Sequence, residues 1–180
     1  MTQLPQVAVW FVTAMLVEAA VIDGLKLKVP NWLTFNFAIG GVAFAAYTGG
    51  ATGVMWALVG AAVGLAVLLP LYAIGGMGAG DVKLMAGVGA WMGPAITLGA
   101  FVATGIVGGL MALVMIARSG AIYRHLAMFQ TIGQEIITVR DPVKLAESAA
   151  KRKPTMMLLP YGIPIAIGSI AYFAWLGILI

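Results

Sequence analysis

Residues 53–83, with the sequence GVMWALVGAAVGLAVLLPLYAIGGMGAGDVK, join a long apolar run to a glycine-rich turn that ends in an acid and a base. The apolar part, 53–74, has about the 20 residues that a helix needs to cross a bilayer. The second part holds Asp81, a carboxylate at the margin of apolar segments. An ionised carboxylate is costly to place in hydrocarbon without a partner. The stretch therefore predicts a membrane helix that leads into a functional site.

The composition of the chain is typical of an integral membrane protein. Hydrophobic residues make up 62% of its 180 residues, charged residues make up 9%, and the mean hydropathy is +1.05. A soluble domain carries more charge, so that class is excluded. No hydrophilic block is long enough to fold separately, and we expect a single membrane-embedded domain over 1–180.

The apolar runs predict an all-α fold, a polytopic membrane bundle of about six transmembrane helices. The predicted spans are 5–22, 32–48, 53–74, 81–94, 95–117 and 156–179. The fourth span is short, and a chain in which it joined the fifth across Gly93-Pro94 would have five spans and its C-terminus on the other side. Glycines four residues apart predict close helix packing at three places, Gly60 and Gly64, Gly89 and Gly93, and Gly105 and Gly109.

The ten Lys and Arg residues can all be placed on one side of this bundle. Lys26 and Lys28 follow the first predicted span, Lys83 follows the third, and the others lie within 118–153. By the positive-inside rule this side is cytoplasmic and both termini face out. The stretch 118–155 is expected to form a cytoplasmic amphipathic and basic segment on the membrane surface. The net charge of +4 is thus a topology signal, and no nucleic acid partner is expected.

Asp23 and Asp81 would then lie at the same boundary of the membrane. Two carboxylates that share a proton can act as an aspartyl protease, because the neutral one donates to the substrate carbonyl while the ionised one takes a proton from water. Taken singly, Asp23 is an ordinary acid at a helix end and Asp81 is an N-cap of the fourth span. Glu18, inside the first span, is the third candidate. The chain has only six acids, so two at one boundary indicate a catalytic pair.

Other candidate residues surround the two aspartates. Asn31, after Pro30, is a predicted N-cap of the second span, and Lys83 lies two residues beyond Asp81. The glycines before Asp81 permit backbone conformations that are closed to other residues. The chain has no cysteine and one histidine, which excludes thiolate and histidine-cluster metal sites. No metal and no cofactor are expected.

Two motifs in the chain resemble those of the type IV prepilin peptidases, members of the GxGD class of aspartyl proteases. The first is Asp23 followed by Val29-Pro30-Asn31, and the second is Gly78-Ala79-Gly80-Asp81-Val82-Lys83. The resemblance covers nearly the whole chain. The chain is similar in particular to the short TadV/CpaA-like form that serves Tad/Flp pili, because the N-terminal zinc-binding and methyltransferase region of the longer enzymes has no counterpart here.

The resemblance implies an endopeptidase that removes the leader peptide of a prepilin, before its hydrophobic N-terminal helix, at the cytoplasmic face of the bacterial inner membrane. Methyltransferase activity is not expected. Asp23 and Asp81 match the two catalytic aspartates of the family, and Gly78 and Gly80 match its motif glycines. Residues expected to support the substrate site are Pro30, Asn31, Lys83, Pro160, Tyr161 and Gly162. The last three resemble a stretch that opens the family's final span, although a helix start alone would also explain them. The implied partners are the prepilin and the lipid bilayer.

Three alternatives stay open on the sequence. An archaeal preflagellin peptidase has the same chemistry and differs in substrate. A presenilin or signal-peptide-peptidase relative shares the Gly-x-Gly-Asp motif, but its first acid would be expected in mid-span, whereas Asp23 follows Ile22 at a span end. A small cation-coupled transporter would need internal repeats and polar residues at the membrane midplane, where this chain has glycine, alanine, valine and leucine.

Overall fold

The computed structural model describes residues 5–119, 130–131, 133–134 and 159–179. Four helices account for nearly all of these residues, and no strand occurs among them: α1 (Gln6–Lys26), α2 (Asn31–Ala73), α3 (Ala79–Ser119) and α4 (Gly162–Trp175). The all-α prediction therefore holds over the described part of the chain. Most of the predicted surface segment 118–155 lies outside it.

The first three helices are long and apolar enough to cross a membrane. In hydrocarbon every backbone polar group needs a partner within the protein, and a helix supplies these partners locally. The helices α2 and α3 have 43 and 41 residues, about twice what one crossing needs. The structure does not show the six predicted spans as six separate helices. The predicted spans 32–48 and 53–74 are merged in α2, and 81–94 and 95–117 are merged in α3.

Each long helix is interrupted at one glycine with a positive φ angle. Gly50 in α2 has φ 55° and ψ −142°, and Gly93 in α3 has φ 76° and ψ 172°. Glycine adopts such angles without the steric cost that other residues meet. Both lie where the sequence analysis places a boundary between predicted spans. We refer to the parts on either side as the arms of each helix, 31–49 and 51–73 in α2, and 79–92 and 94–119 in α3.

The backbone reverses direction at both glycines. A Cβ atom added to Gly53 would overlap the carbonyl of Ala45, although residues eight apart in a straight helix are separated by about 12 Å. In α3, Asp81 shares a cavity with Leu159, and Gly108 packs against Pro164, only five residues further along the chain. A straight helix would hold Asp81 and Gly108 about 40 Å apart. Each long helix is therefore a hairpin that reverses direction at its glycine.

Glycines let the arms of α2 and α3 approach at backbone distance. A Cβ on Gly60 would overlap the carbonyl of Gly89, a Cβ on Gly89 would overlap that of Gly60, and Gly64 has the same relation to Met85. These contacts confirm the predicted packing of Gly60, Gly64 and Gly89. A Cβ on Gly105 or Gly109 would meet no described atom within 4 Å. Within the described residues, the packing predicted for that pair is not found.

The helix ends differ from the predicted ones by a few residues, and the difference matters for the site. The helix α1 continues to Lys26 and ends at Leu27, a left-handed residue with φ 50° whose N–H donates to the carbonyl of Asp23 at 2.7 Å. Asp23 is therefore in the last turn of α1 and does not follow it. The predicted end was drawn at the last apolar residue before Asp23, and the structure extends the helix through Gly24 and Leu25 to Lys26.

Candidate active site

A cavity of about 360 Å³ lies where α1 ends and α2 and α3 begin, with Leu159 closing it from the chain before α4. Its polar side chains are those of Asp23, Lys28, Asn31, Asp81 and Lys83. Gly78 and Gly80 also line it. The structure thus brings the two candidate aspartates, separated by 58 positions in the sequence, into one cavity together with the motif glycines.

Asp23 is held from the far end of the chain. Its side chain is 3% exposed, and its Oδ2 accepts a hydrogen bond of 2.7 Å from the backbone N–H of Gly162. A Cβ atom on Gly162 would lie 2.8 Å from the Cβ of Asp23, closer than real Cβ atoms approach a neighbour. Position 162 therefore needs a residue without a side chain, so that the amide can reach the carboxylate.

Asp81 is held locally by the start of its own helix. It is the third residue of α3, is 6% exposed, and accepts a hydrogen bond of 2.9 Å from the backbone N–H of Gly78, the residue before the helix. An acid at this position that reaches back to the preceding N–H is one half of a capping box. Asp81 is thus inside α3 and does not occupy the predicted N-cap position.

Gly80 brings the loop before α2 onto the start of α3. A Cβ on Gly80 would lie 2.7 Å from the carbonyl oxygen of Val29. Any larger residue would push the loop before α2 away from the start of α3. The two motif glycines therefore have separate tasks: Gly78 donates its N–H to Asp81, and Gly80 permits the close approach of Val29.

Lys83 connects α3 to α2 at the mouth of the cavity. Its Nζ donates a hydrogen bond of 3.0 Å to Oδ1 of Asn31 and lies 4.8 Å from the centroid of the Phe35 ring. The predicted N-cap role of Asn31 is wrong, because the residue before α2 is Pro30 and Asn31 is the first residue of the helix. The carbonyl of Pro30 accepts the N–H groups of Leu33 and Thr34, which begins α2.

The stretch from Pro160 to Gly162 both opens α4 and reaches the site. The carbonyl of Pro160 accepts the N–H of Ile163 at 3.1 Å, as at an ordinary helix start. Tyr161 is half-buried directly before the helix, and neither it nor Pro160 is among the described residues that line the cavity. The stretch contacts the site through the backbone N–H of Gly162, which donates to Asp23. Glu18, by contrast, is exposed on α1 and does not line the cavity.

Lys28, which the charge pattern marks only as a topology signal, also lines the cavity. It lies between Asp23 and Asn31 in the sequence. Its position directly before the motif Val29-Pro30 could have indicated that it lies near the site.

Among the described residues, no group of three or more His, Asp or Glu side chains lies close enough to hold a metal ion. The chemistry that the cavity offers is that of two buried carboxylates flanked by two ammonium groups.

More than half of the chain matches a known protein family. The sequence model of the type IV leader peptidase family matches residues 10–113, which include most of α1, all of α2 and most of α3. Both aspartates and both motif glycines fall inside the match, while Gly162 lies beyond it. No curated protein and no solved structure matches the chain.

Proposed function

Because the chain belongs to the type IV leader peptidase family, we propose that it is an aspartyl endopeptidase that removes the leader peptide of type IV prepilins of the Flp/Tad kind. The proposal rests above all on one observation: Asp23 and Asp81 are both buried and line one cavity. No nucleophilic side chain is required, because two carboxylates can activate water directly. Methyltransferase activity is not part of the proposal.

In the proposed mechanism the two carboxylates share one proton. The ionised carboxylate removes a proton from a water molecule, whose oxygen attacks the scissile carbonyl carbon, while the protonated carboxyl donates its proton to the carbonyl oxygen. The tetrahedral gem-diol intermediate then collapses: one of its hydroxyls returns a proton to the carboxylate that had donated one, the C–N bond breaks, and the leaving nitrogen takes up the proton removed from water. The amides of Gly162 and Gly78 hold the two carboxylates in orientation through this cycle.

We further propose that the arms of α2 and α3 cross the membrane separately, which gives one domain with six crossings. The carboxylates would then lie on the side where Lys26, Lys28 and Lys83 cluster, and this side is cytoplasmic by the positive-inside rule. The site would face the cytoplasm from the bacterial inner membrane. A prepilin would enter with its leader on this polar side and its hydrophobic helix in the bilayer.

The direct test is cleavage of a co-expressed prepilin in membranes, followed as a decrease in substrate size. Asp23→Asn and Asp81→Asn are each expected to lower the cleavage rate about a hundredfold or more, because each removes an acid or base from the reaction. Glu18→Gln is the control, since Glu18 does not line the cavity. An aspartate variant that still cleaves at the wild-type rate would contradict the assignment.

The substrate class is tested with a panel. Wild-type enzyme is offered an Flp-type prepilin and an archaeal preflagellin of similar length. Cleavage of the first and not the second supports the proposed substrate, and the reverse result would favour the preflagellin peptidase.

A further inference from the structure

A second cavity lies beside the candidate active site. It is an apolar groove of about 480 Å³ between α1 and α4. The wall from α1 includes Val17, Val21 and Gly24, and the wall from α4 includes Ile163 and Ile167. All of its lining residues are apolar. The mechanism proposed above makes no use of this groove.

The groove begins at the hydrogen bond that holds Asp23. Gly24 directly follows Asp23 in α1, Ile163 directly follows Gly162 in α4, and both line the groove. A Cβ on Gly24 would lie 3.4 Å from Cδ1 of Ile163, so the two walls touch at this end. From Gly24 back to Val17 the wall runs along α1 for about 10 Å. One end of the groove thus adjoins a candidate catalytic carboxylate.

The active-site cavity itself is too small for a polypeptide substrate. A volume of about 360 Å³ is at the lower end of the range for small-molecule sites, so only a few residues around a scissile bond fit inside. The substrate must continue outside the cavity in both directions. On the polar side, its neighbours are Lys28 and Lys83. An apolar continuation needs an apolar surface that starts at the carboxylates, and the groove meets this requirement.

The walls of the groove suit helix packing in lipid. Membrane helices associate mainly through close van der Waals contact, which small residues at the interface permit. Ala20, Gly24 and Ala166 are the small residues of the groove, and the larger side chains of Val21 and Ile167 are 56% and 50% exposed beside them. A helix laid between α1 and α4 would cover these side chains.

We propose that this groove binds the hydrophobic helix of the prepilin substrate, which packs against α1 and α4 with its N-terminal end at Asp23. The inference rests on the proposed function, because it takes the substrate to be a leader followed by an apolar helix. In this arrangement α1 and α4 contact the substrate outside the cavity, and Val21 and Ile167 take part directly in substrate binding.

The first test is photo-crosslinking, which needs binding but not cleavage. A benzoylphenylalanine residue is placed at Val21 or, as a matched control, at Val102, a valine of α3 that is 59% exposed and lies outside the groove. Both variants carry Asp81→Asn and are co-expressed with the prepilin. An adduct with prepilin from position 21 and not from 102 is expected. Adducts from both positions or from neither, or adducts at 21 only with lipid or a second copy of the chain, would overturn the proposal.

The second test separates the groove from the catalytic site. Val21→Trp and Ile167→Trp fill the groove, and Val102→Trp and Ile106→Trp place the same ring at exposed positions of α3. The groove variants are expected to cleave full-length prepilin about tenfold more slowly than the controls. A peptide that spans the scissile bond but lacks the apolar helix should be cut equally by all four.

The two proposals fail in different ways. If the wild type cleaves prepilin and the groove variants match their controls, the groove assignment is wrong and the peptidase assignment stands. If the wild type leaves prepilin and peptide uncut, the peptidase assignment is wrong, and the crosslinking result alone decides whether the groove binds an apolar helix.

Discussion

Glycine amides hold both candidate catalytic carboxylates, but the two amides come from different parts of the chain. Gly78 is three residues from Asp81, so this bond is local, although the sequence predicted an N-cap position for Asp81 and not the third position of the helix. Gly162 is 139 residues from Asp23. No local pattern announces such a contact, so the sequence suggested Gly162 only through a resemblance. What the sequence could not supply was the task of that residue, which is to donate a backbone N–H.

Replacement of Gly162 by alanine tests this task. The added Cβ would lie 2.8 Å from the Cβ of Asp23, so the carboxylate must move. Displacement of a catalytic group by about 1 Å can cost about a hundredfold in rate, and we expect a loss of that order in kcat with little change in KM. The measurement is single-substrate kinetics on purified enzyme in detergent.

Gly108→Ala is the matched control for that variant. Gly108 also faces α4, but its added Cβ would meet Pro164 at 3.5 Å, an ordinary contact. Its kcat is expected to stay near that of the wild type. A Gly162→Ala enzyme that retains full kcat would show that the amide of Gly162 does not position Asp23.

At the scale of single elements, apolar length and turn residues predicted most of the helical pattern. The breaks at Gly50 and Gly93 fall at the predicted boundaries because glycine clusters without charge mark turns between apolar runs. The helix that packs against each row of glycines was harder to predict. Glycines four residues apart indicate a helix face that permits close packing, but they do not identify the helix that packs there. Gly105 and Gly109 face open space within the described structure.

Replacement of two glycines of α3 by alanine should change the free energy of unfolding in opposite directions. Gly93 has φ 76°, so Gly93→Ala is expected to lower the free energy of unfolding by about 1–3 kcal/mol. Gly105 is helical and its added Cβ would meet no described atom, so Gly105→Ala should raise that free energy by about 0.5–1 kcal/mol. Thermal unfolding in one detergent compares them. Equal effects of both variants would argue against a reversal at Gly93.

At the scale of the whole molecule, the two hairpins support the proposal of six crossings over the alternative of five. A five-crossing chain would require α3, with its 41 residues, to cross once as a single helix about 60 Å long, twice the thickness of the hydrocarbon core. The reversal at Gly93 removes this difficulty. Composition predicted the class of protein, and charge placement predicted its orientation, but neither could show that both aspartates share a cavity.

The chain has no cysteine, so single introduced cysteines report topology without background. With six crossings, a membrane-impermeant maleimide should label Thr48→Cys and Leu176→Cys from outside the cell. It should label Gly76→Cys only in inverted vesicles. Leu176→Cys labelled solely in inverted vesicles would establish five crossings and place the C-terminus in the cytoplasm.

The hydrogen bond between Gly162 and Asp23 also has a consequence for biosynthesis. Asp23 leaves the ribosome 139 residues before the amide that holds it. A nascent chain that has already inserted both aspartates still lacks this donor, and it gains the donor only when α4 follows. If the bond is needed for hydrolysis, a nascent chain gains activity only once α4 has been added, and a chain halted before α4 stays inactive.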